Sequence, residues 1–282
     1  MKFKIITPVI FLLVVFSFRQ EKESIPQLGI CYRLDQDSLV YASGFRLIGE
    51  SVGRMLSPSL TEEQFQQNIE RIKKAKSKVY LCNVFFPGTI KIAGPDVDEK
   101  RVLSYADTVL LRAKQAGVPF IVLGSGGPRR LPDGYDKEKA KKEFIELCKK
   151  LAAIAGKYEV KIALESLQSS ETNFLNTVKD ATEIVRGVHH PNFTLNADIF
   201  HMMRENESPQ SIIDAADVLG HCEIAEKGSR SMPGVMGDDF KPYFRALRKA
   251  NYKGCIFIEA NSTNPNNDMP LSFKYLSRQL EE

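Results

Sequence analysis

Eight short apolar runs recur along the chain from Ile25 onward: QLGICYR, FRLIGES, KVYLCNVF, PFIVLGS, VKIALES, FTLNADIF, LGHCEIAE and GCIFIEA. Most are apolar on consecutive residues rather than on alternate ones. That is the pattern of a parallel strand covered on both faces. Amphipathic helical stretches lie between most of them. TEEQFQQNIERIKKAKS opens on Thr61 with acidic residues behind it, DEKRVLSYADTVLLRAKQAG closes on Gly117, and Pro209 follows Ser208 at the head of another helix. The link between the first two runs is irregular, so the first helix has the least support. Eight strand–helix units over about 250 residues are the dimensions of a (β/α)8 barrel. A doubly wound open sheet is the competing arrangement, but no GxGxxG follows the first strand. No linker or break in composition divides residues 25–282. They are read as one α/β domain, a single (β/α)8 TIM barrel.

The first residues, MKFKIITPVIFLLVVFSF, are of another kind. Lys2 and Lys4 precede an apolar stretch over residues 5–18, after which RQEKES turns polar. This is the charged start and apolar middle of an export signal. The stretch is short of the roughly 20 residues that a transmembrane helix needs. The expectation is a signal peptide over residues 1–24, or an anchor there if it is not cleaved. The domain would then be periplasmic or secreted, and would touch a membrane only through that segment. The net charge of +4 comes from 39 basic residues dispersed among 35 acidic ones. No basic cluster is interleaved with aromatics, which argues against nucleic acid as a partner. Cys31, Cys82, Cys222 and Cys255 sit inside apolar strand-like runs and Cys148 in a helical pattern. They read as small buried hydrophobes, and no CxxC spacing suggests zinc or redox chemistry.

In such barrels chemistry gathers at the C-terminal ends of the strands. The fifth run ends ALES, placing Glu165. The sixth ends NADIFH, placing Asp198 with His201 just beyond. The seventh carries His221, Glu223 and Glu226, and the eighth ends FIEA, placing Glu259. Buried carboxylates are costly unless paired or bound to a metal. Several in one barrel mouth would repel one another, and a divalent cation resolves both problems. An oxygen-rich set with at most one or two imidazoles suits Mn, Mg, Co or Zn. His221 and Glu223 stand two apart in an extended run, so they project to the same face.

The stretches ALESLQSSETNF, NADIFHMMRE, LGHCEIAE with RSMPG, and FIEAN, with VLGSGGPRRLPDGY after the fourth run, resemble the xylose isomerase-like sugar phosphate isomerase/epimerase superfamily. In motif terms they are most like its ketose 3-epimerases. The resemblance spans about residue 25 to the end. It implies one divalent ion held by Glu165, Asp198, Glu259 and a residue of the seventh strand. The family places there the second histidine of an HxH pattern, whereas this chain reads His221-Cys222-Glu223. Glu223 is the replacement by spacing. His221, two residues deeper, is the alternative, and a degraded site is a third reading. By the same resemblance Glu165 and Glu259 are the catalytic acid/base pair, and Glu171, His201 and Arg230 bind substrate. Arg129 and Arg130, after GSGG, read as exposed loop residues, with an anionic or distal substrate group as their functional alternative. Homodimers formed through the barrel helices are a further implication.

The chemistry implied is proton removal at a carbon beside a carbonyl, by one carboxylate on each face of a carbohydrate substrate. The metal would act as a Lewis acid on the developing enediolate charge. The first reading is therefore a sugar isomerase or epimerase. A lyase or dehydratase acting on 3-keto sugars or keto-glycosides uses the same enolate chemistry and is the second. A non-catalytic sugar-binding protein with a lapsed metal site is the third. A DNA-repair endonuclease on this barrel would need a histidine-rich zinc cluster, and the whole chain has four histidines.

Overall fold

A computed structural model describes residues 25–282. The segment read as an export signal or anchor, residues 1–24, lies outside the described residues. Each of the eight apolar runs forms a strand: β1 Leu28–Cys31, β2 Leu47–Ser51, β3 Lys78–Asn83, β4 Phe120–Leu123, β5 Lys161–Glu165, β6 Phe193–Asp198, β7 Leu219–Ile224 and β8 Ile256–Ile258. They pair in parallel in chain order, and β8 closes on β1 through Leu28↔Ile256, Gly29↔Phe257 and Ile30↔Ile258. The result is the closed barrel expected from the continuous apolar runs, with helices around it.

The helices begin and end where side chains satisfy their free backbone groups. Thr61 and Gln64 form a capping box at the head of Glu62–Lys74, and Thr177 and Asp180 form another before Val178–Val188. Gly117 ends Glu99–Ala116 in the left-handed region, at φ 70°. The connection from β1 to β2 is the least regular: a 3-10 turn at Leu34–Gln36 followed by the six-residue helix Asp37–Ala42. Here the short link leaves room for less than two turns of helix.

Two layers of apolar packing result. The larger lies between strands and helices and takes most of the buried aliphatic and phenylalanine side chains. The smaller fills the barrel itself, with Leu47, Leu81, Phe120, Val122, Ala163 and Phe257 packed against Tyr80, Cys31 and Cys255. Tyr80 stacks on Phe120 and on Phe257, with ring centroids 5.3 Å and 5.8 Å apart. The Phe257 ring lies across Gly29, where an added Cβ would come within 2.5 Å of it. Glycine in β1 therefore lets an aromatic floor form beneath the strand ends. All five cysteines are free, with Cys82, Cys148 and Cys222 buried and Cys31 and Cys255 half-buried, as their apolar settings suggested. Among the described residues no helix is long and apolar enough to cross a membrane.

Replacing Phe257 with Ala empties the centre of that floor. The expected cost is about 3–5 kcal/mol of unfolding free energy, measured by denaturant titration. A loss below about 1 kcal/mol would show that the barrel interior does not depend on this ring.

Candidate metal centre

The strand ends expected to carry chemistry meet at one mouth of the barrel. Glu165, Asp198, Glu223 and Glu259 each offer a carboxylate oxygen, and these four atoms lie within 4.8 Å of one another. Glu165, Asp198 and His201 form an overlapping group of the same span. Glu165, Asp198, Glu223 and His201 are buried, and the Glu259 side chain keeps 24% of its surface exposed. Register makes this convergence. Asp198 on β6 stands beside Glu223 on β7 only because the pairing shifts between Leu195 and Asn196.

Depth separates the two candidates on β7. His221 and Glu223 point inward together, as their spacing required. His221 lies lower, against the rings of Phe120 and Phe257, at centroid distances of 5.9 Å and 5.4 Å. Its Nε2 is 3.8 Å from Glu223 Oε1 and belongs to none of the donor groups at the mouth. Glu223 is the β7 residue that reaches the other carboxylates. Asn196 Nδ2 donates to its Oε2, and the Cys31 thiol donates to its Oε1 at 3.7 Å.

Each of the other carboxylates has its own support. Asp198 caps the helix Ile199–Arg204, its Oδ1 accepting from the Phe200 N–H at 2.8 Å, which leaves Oδ2 toward the mouth. Asn83, at the end of β3, donates to Glu259 Oε1. Glu165 sits where glycine makes room: a Cβ at Gly124 would stand 1.7 Å from its Oε2. The expectation that Arg129 is an exposed loop residue is overturned. It is fully buried, and its Nη1 donates to the Glu165 backbone carbonyl at 2.6 Å. Burial brings its guanidinium pKa down to about 10. Arg130 is exposed as expected and donates to the Glu171 carbonyl at 2.9 Å.

Arg230 is the cation that faces the cluster. Its Nη2 donates to Glu259 Oε2 and lies 3.4 Å from Asp198 Oδ2, its Nε donates to the Glu259 carbonyl at 3.0 Å, and its Nη1 is 3.8 Å from Glu171. Its guanidinium stacks over Phe200 at 4.7 Å. Ser229 and Arg230 both take left-handed backbone angles, φ 56° and 50°, which are strained for residues with a Cβ. Glu226 holds that loop. Its buried carboxylate accepts from the backbone N–H groups of Gly234, Met236, Gly237 and Asp238 and from the Ser231 hydroxyl. His201 accepts from the Gln168 N–H at Nδ1, so its proton sits on Nε2, 3.5 Å from both Glu165 and Asp198.

The donor set fits a divalent cation. Among the described residues Glu165 Oε1 is buried without a hydrogen-bond partner, and so is His201 Nε2. Four clustered carboxylates face one arginine. Burial, reinforced by Glu223, Glu259 and Asp198, pushes the Glu165 carboxyl well above its ordinary range. Burial, with Glu223 adding to it, takes Glu259 up to about 8, against the pull of Arg230. Burial lowers His201, which keeps the ring neutral near pH 7.

These shifts set a pH dependence for the metal-stripped protein. Glu165 and Glu259 hold protons in the folded chain that the unfolded chain has released above about pH 4.5, so folding stability falls as pH rises toward 8. His201 works in the opposite direction, but its contribution fades above about pH 6.5, where the unfolded imidazole gives up its proton. The melting temperature of EDTA-treated protein should therefore fall between pH 6.5 and 8, and saturating Mn²⁺ should flatten the slope. A melting temperature that rises through this window without metal would contradict the crowding of the carboxylates.

A family model described as xylose isomerase-like TIM barrel matches residues 38–279. Curated relatives include ketose 3-epimerases and hydroxypyruvate isomerases. An L-ribulose 3-epimerase of Methylomonas is 34% identical over 148 residues, 52% of this chain and 49% of the relative. The chain spans about half the length of the curated relatives it matches. Among solved structures, the 3-keto-D-glucoside 4-epimerase of E. coli superposes with a TM-score of 0.76 at 20% identity, covering 90% of this chain and 99% of the other. The IOLI protein, solved with a zinc atom bound, superposes with a TM-score of 0.71 at 18% identity, covering 90% and 98%. With the match running almost the whole length of the barrel, the chain belongs to the xylose isomerase-like TIM barrel family.

Proposed function

We propose that this protein is a divalent-metal-dependent isomerase or epimerase of small sugars that removes and returns a proton at a carbon beside a carbonyl. The observation that carries this reading is the convergence of four carboxylates within 4.8 Å, one of them with an oxygen left unpartnered. The names of the relatives, which act on ribulose and psicose, support the substrate class.

Glu165, Asp198, Glu223 and Glu259 would hold the ion, which when bound supplies a Lewis acid to stabilise negative charge developing on the substrate's oxygens. Glu165 and Glu259 come from β5 and β8, on separate arcs of the barrel wall, and form the acid/base pair. One takes the proton from its face of the substrate and the other delivers a proton to the opposite face. His201 presents its Nε2 proton toward the same space and donates it to a substrate oxygen. Arg230, half of whose reach is already spent on Glu259 and Asp198, holds a second oxygen, and Glu171 accepts from a hydroxyl at the rim. The floor of Phe257 and Phe120 closes the barrel below the site. The export reading of residues 1–24 belongs to this proposal: outside the cytoplasm free sugars and glycosides are the available substrates, not sugar phosphates.

The test uses metal-loaded protein in D₂O with free ketoses and with 3-keto-glycosides. A new sugar carrying deuterium at the reacting carbon is expected. Glu259→Gln should lower turnover by about 10²- to 10⁴-fold while keeping a cooperative melting transition. Aglycone release from the 3-keto-glycosides, with no new ketose, would transfer the same carboxylates to a lyase. Product without deuterium, or full turnover in Glu259→Gln, would sink the proton-transfer mechanism.

A further inference from the structure

A further donor, a sulfur, stands at the same mouth. Cys31 ends β1, next to β8 in the barrel. Donor atoms of Cys31, Glu223 and Glu259 lie within 4.8 Å of one another, but Cys31 shares no such group with Glu165 or Asp198. The four-carboxylate set and the set containing Cys31 therefore overlap. Glu223 and Glu259 belong to both, Glu165 and Asp198 to one, and Cys31 to the other.

The surroundings of Cys31 favour this second set. Gly49 on β2 makes room for the sulfur, since a Cβ there would stand 2.8 Å from Sγ. A cavity of about 210 Å³, lined in part by Cys31, Asn83 and Glu259, opens on this side of the mouth and gives an ion a way in. Below, the buried His221 Nε2 has no hydrogen-bond partner and faces, at 3.8 Å, the same Glu223 Oε1 that the thiol contacts. With all four carboxylates ionised, one divalent ion and Arg230 leave one uncompensated negative charge in a largely buried site, which is costly. A second divalent ion facing a thiolate would then bring the set to neutrality.

We propose that Cys31, Glu223 and Glu259 form a second divalent-cation position beside the first, one that takes sulfur-accepting ions such as Co²⁺ or Zn²⁺ and rejects Mg²⁺. This rests on reading the four carboxylates as an ion site. When the ion binds, the sulfur–metal bond replaces the S–H bond and the thiol proton leaves to solvent.

The experiment loads metal-stripped protein with Co²⁺ and measures cobalt per chain by elemental analysis, together with sulfur-to-cobalt charge-transfer absorption in the near ultraviolet. Wild type should bind two cobalt ions and show the band. Cys31→Ser, nearly isosteric, should keep one ion, lose the band and, when both proteins are metal-stripped, melt as wild type does. Glu165→Gln touches only the first set, so it should keep the band. Mg²⁺ in place of Co²⁺ should stop at one ion per chain. One cobalt per chain without a band in wild type overturns the second position and leaves the first intact. A band lost in Glu165→Gln also overturns it, by showing that the thiolate serves the first ion. No cobalt at all in wild type overturns both.

Discussion

Repulsion among carboxylates that the barrel forces together is the constraint around which this molecule is organised. Closing eight parallel strands brings the ends of β5 to β8 to one opening, and each of those ends is acidic. Dispersed over a surface, such groups cost nothing. Here they lose water and face one another, so every neighbour matters. The upward shifts of Glu165 and Glu259 express that cost directly. A cation is the simplest relief, and the four carboxylates are placed as a candidate site for one.

The polar residues around the cluster have a common logic. Asn83 and Asn196 neutralise nothing; they fix the direction of a carboxylate by donating to one oxygen and leaving the other to the mouth. Arg230 does supply charge, but on a strained loop that would not hold its shape alone. Glu226 supplies what the loop lacks by gathering its backbone N–H groups. The acid at the end of β7 that never reaches the mouth thus governs where the mouth's arginine stands. Arg129 acts in a similar way beneath Glu165, through the main chain rather than the carboxylate. Functional groups are set by residues that touch nothing but other protein atoms.

Much of this was legible in the chain itself. Continuous apolar runs announced parallel strands, and all eight are present. Glu165, Asp198, His201, Glu223 and Glu259 were singled out at strand ends and Arg230 through the family resemblance, and the fold gathers them in one place. The residues that went unnoticed are Asn83, Asn196 and Gly124, together with the place of Cys31, read only as a small hydrophobe, beside the carboxylates and the buried setting of Arg129. None carries a local signal. A glycine in GSGG looks like a turn, and only the approach of Glu165 from the next strand shows what it makes room for. Arg129 in a polar loop looks exposed until the carbonyl of Glu165 is found beneath it.

Sequence alone determined the architecture and the face on which each acid projects, because strand periodicity is a local property of two consecutive residues. It could say that His221 and Glu223 point the same way. Spacing favoured Glu223 with His221 as the alternative, but which of them meets the other carboxylates depends on height along the barrel axis. Height is set by the register between strands, by the shift between Leu195 and Asn196, and by the aromatic floor under His221. These are contacts between residues far apart in the chain. Only the closed barrel brings them together, and only there does Glu223, rather than His221, stand among the acids.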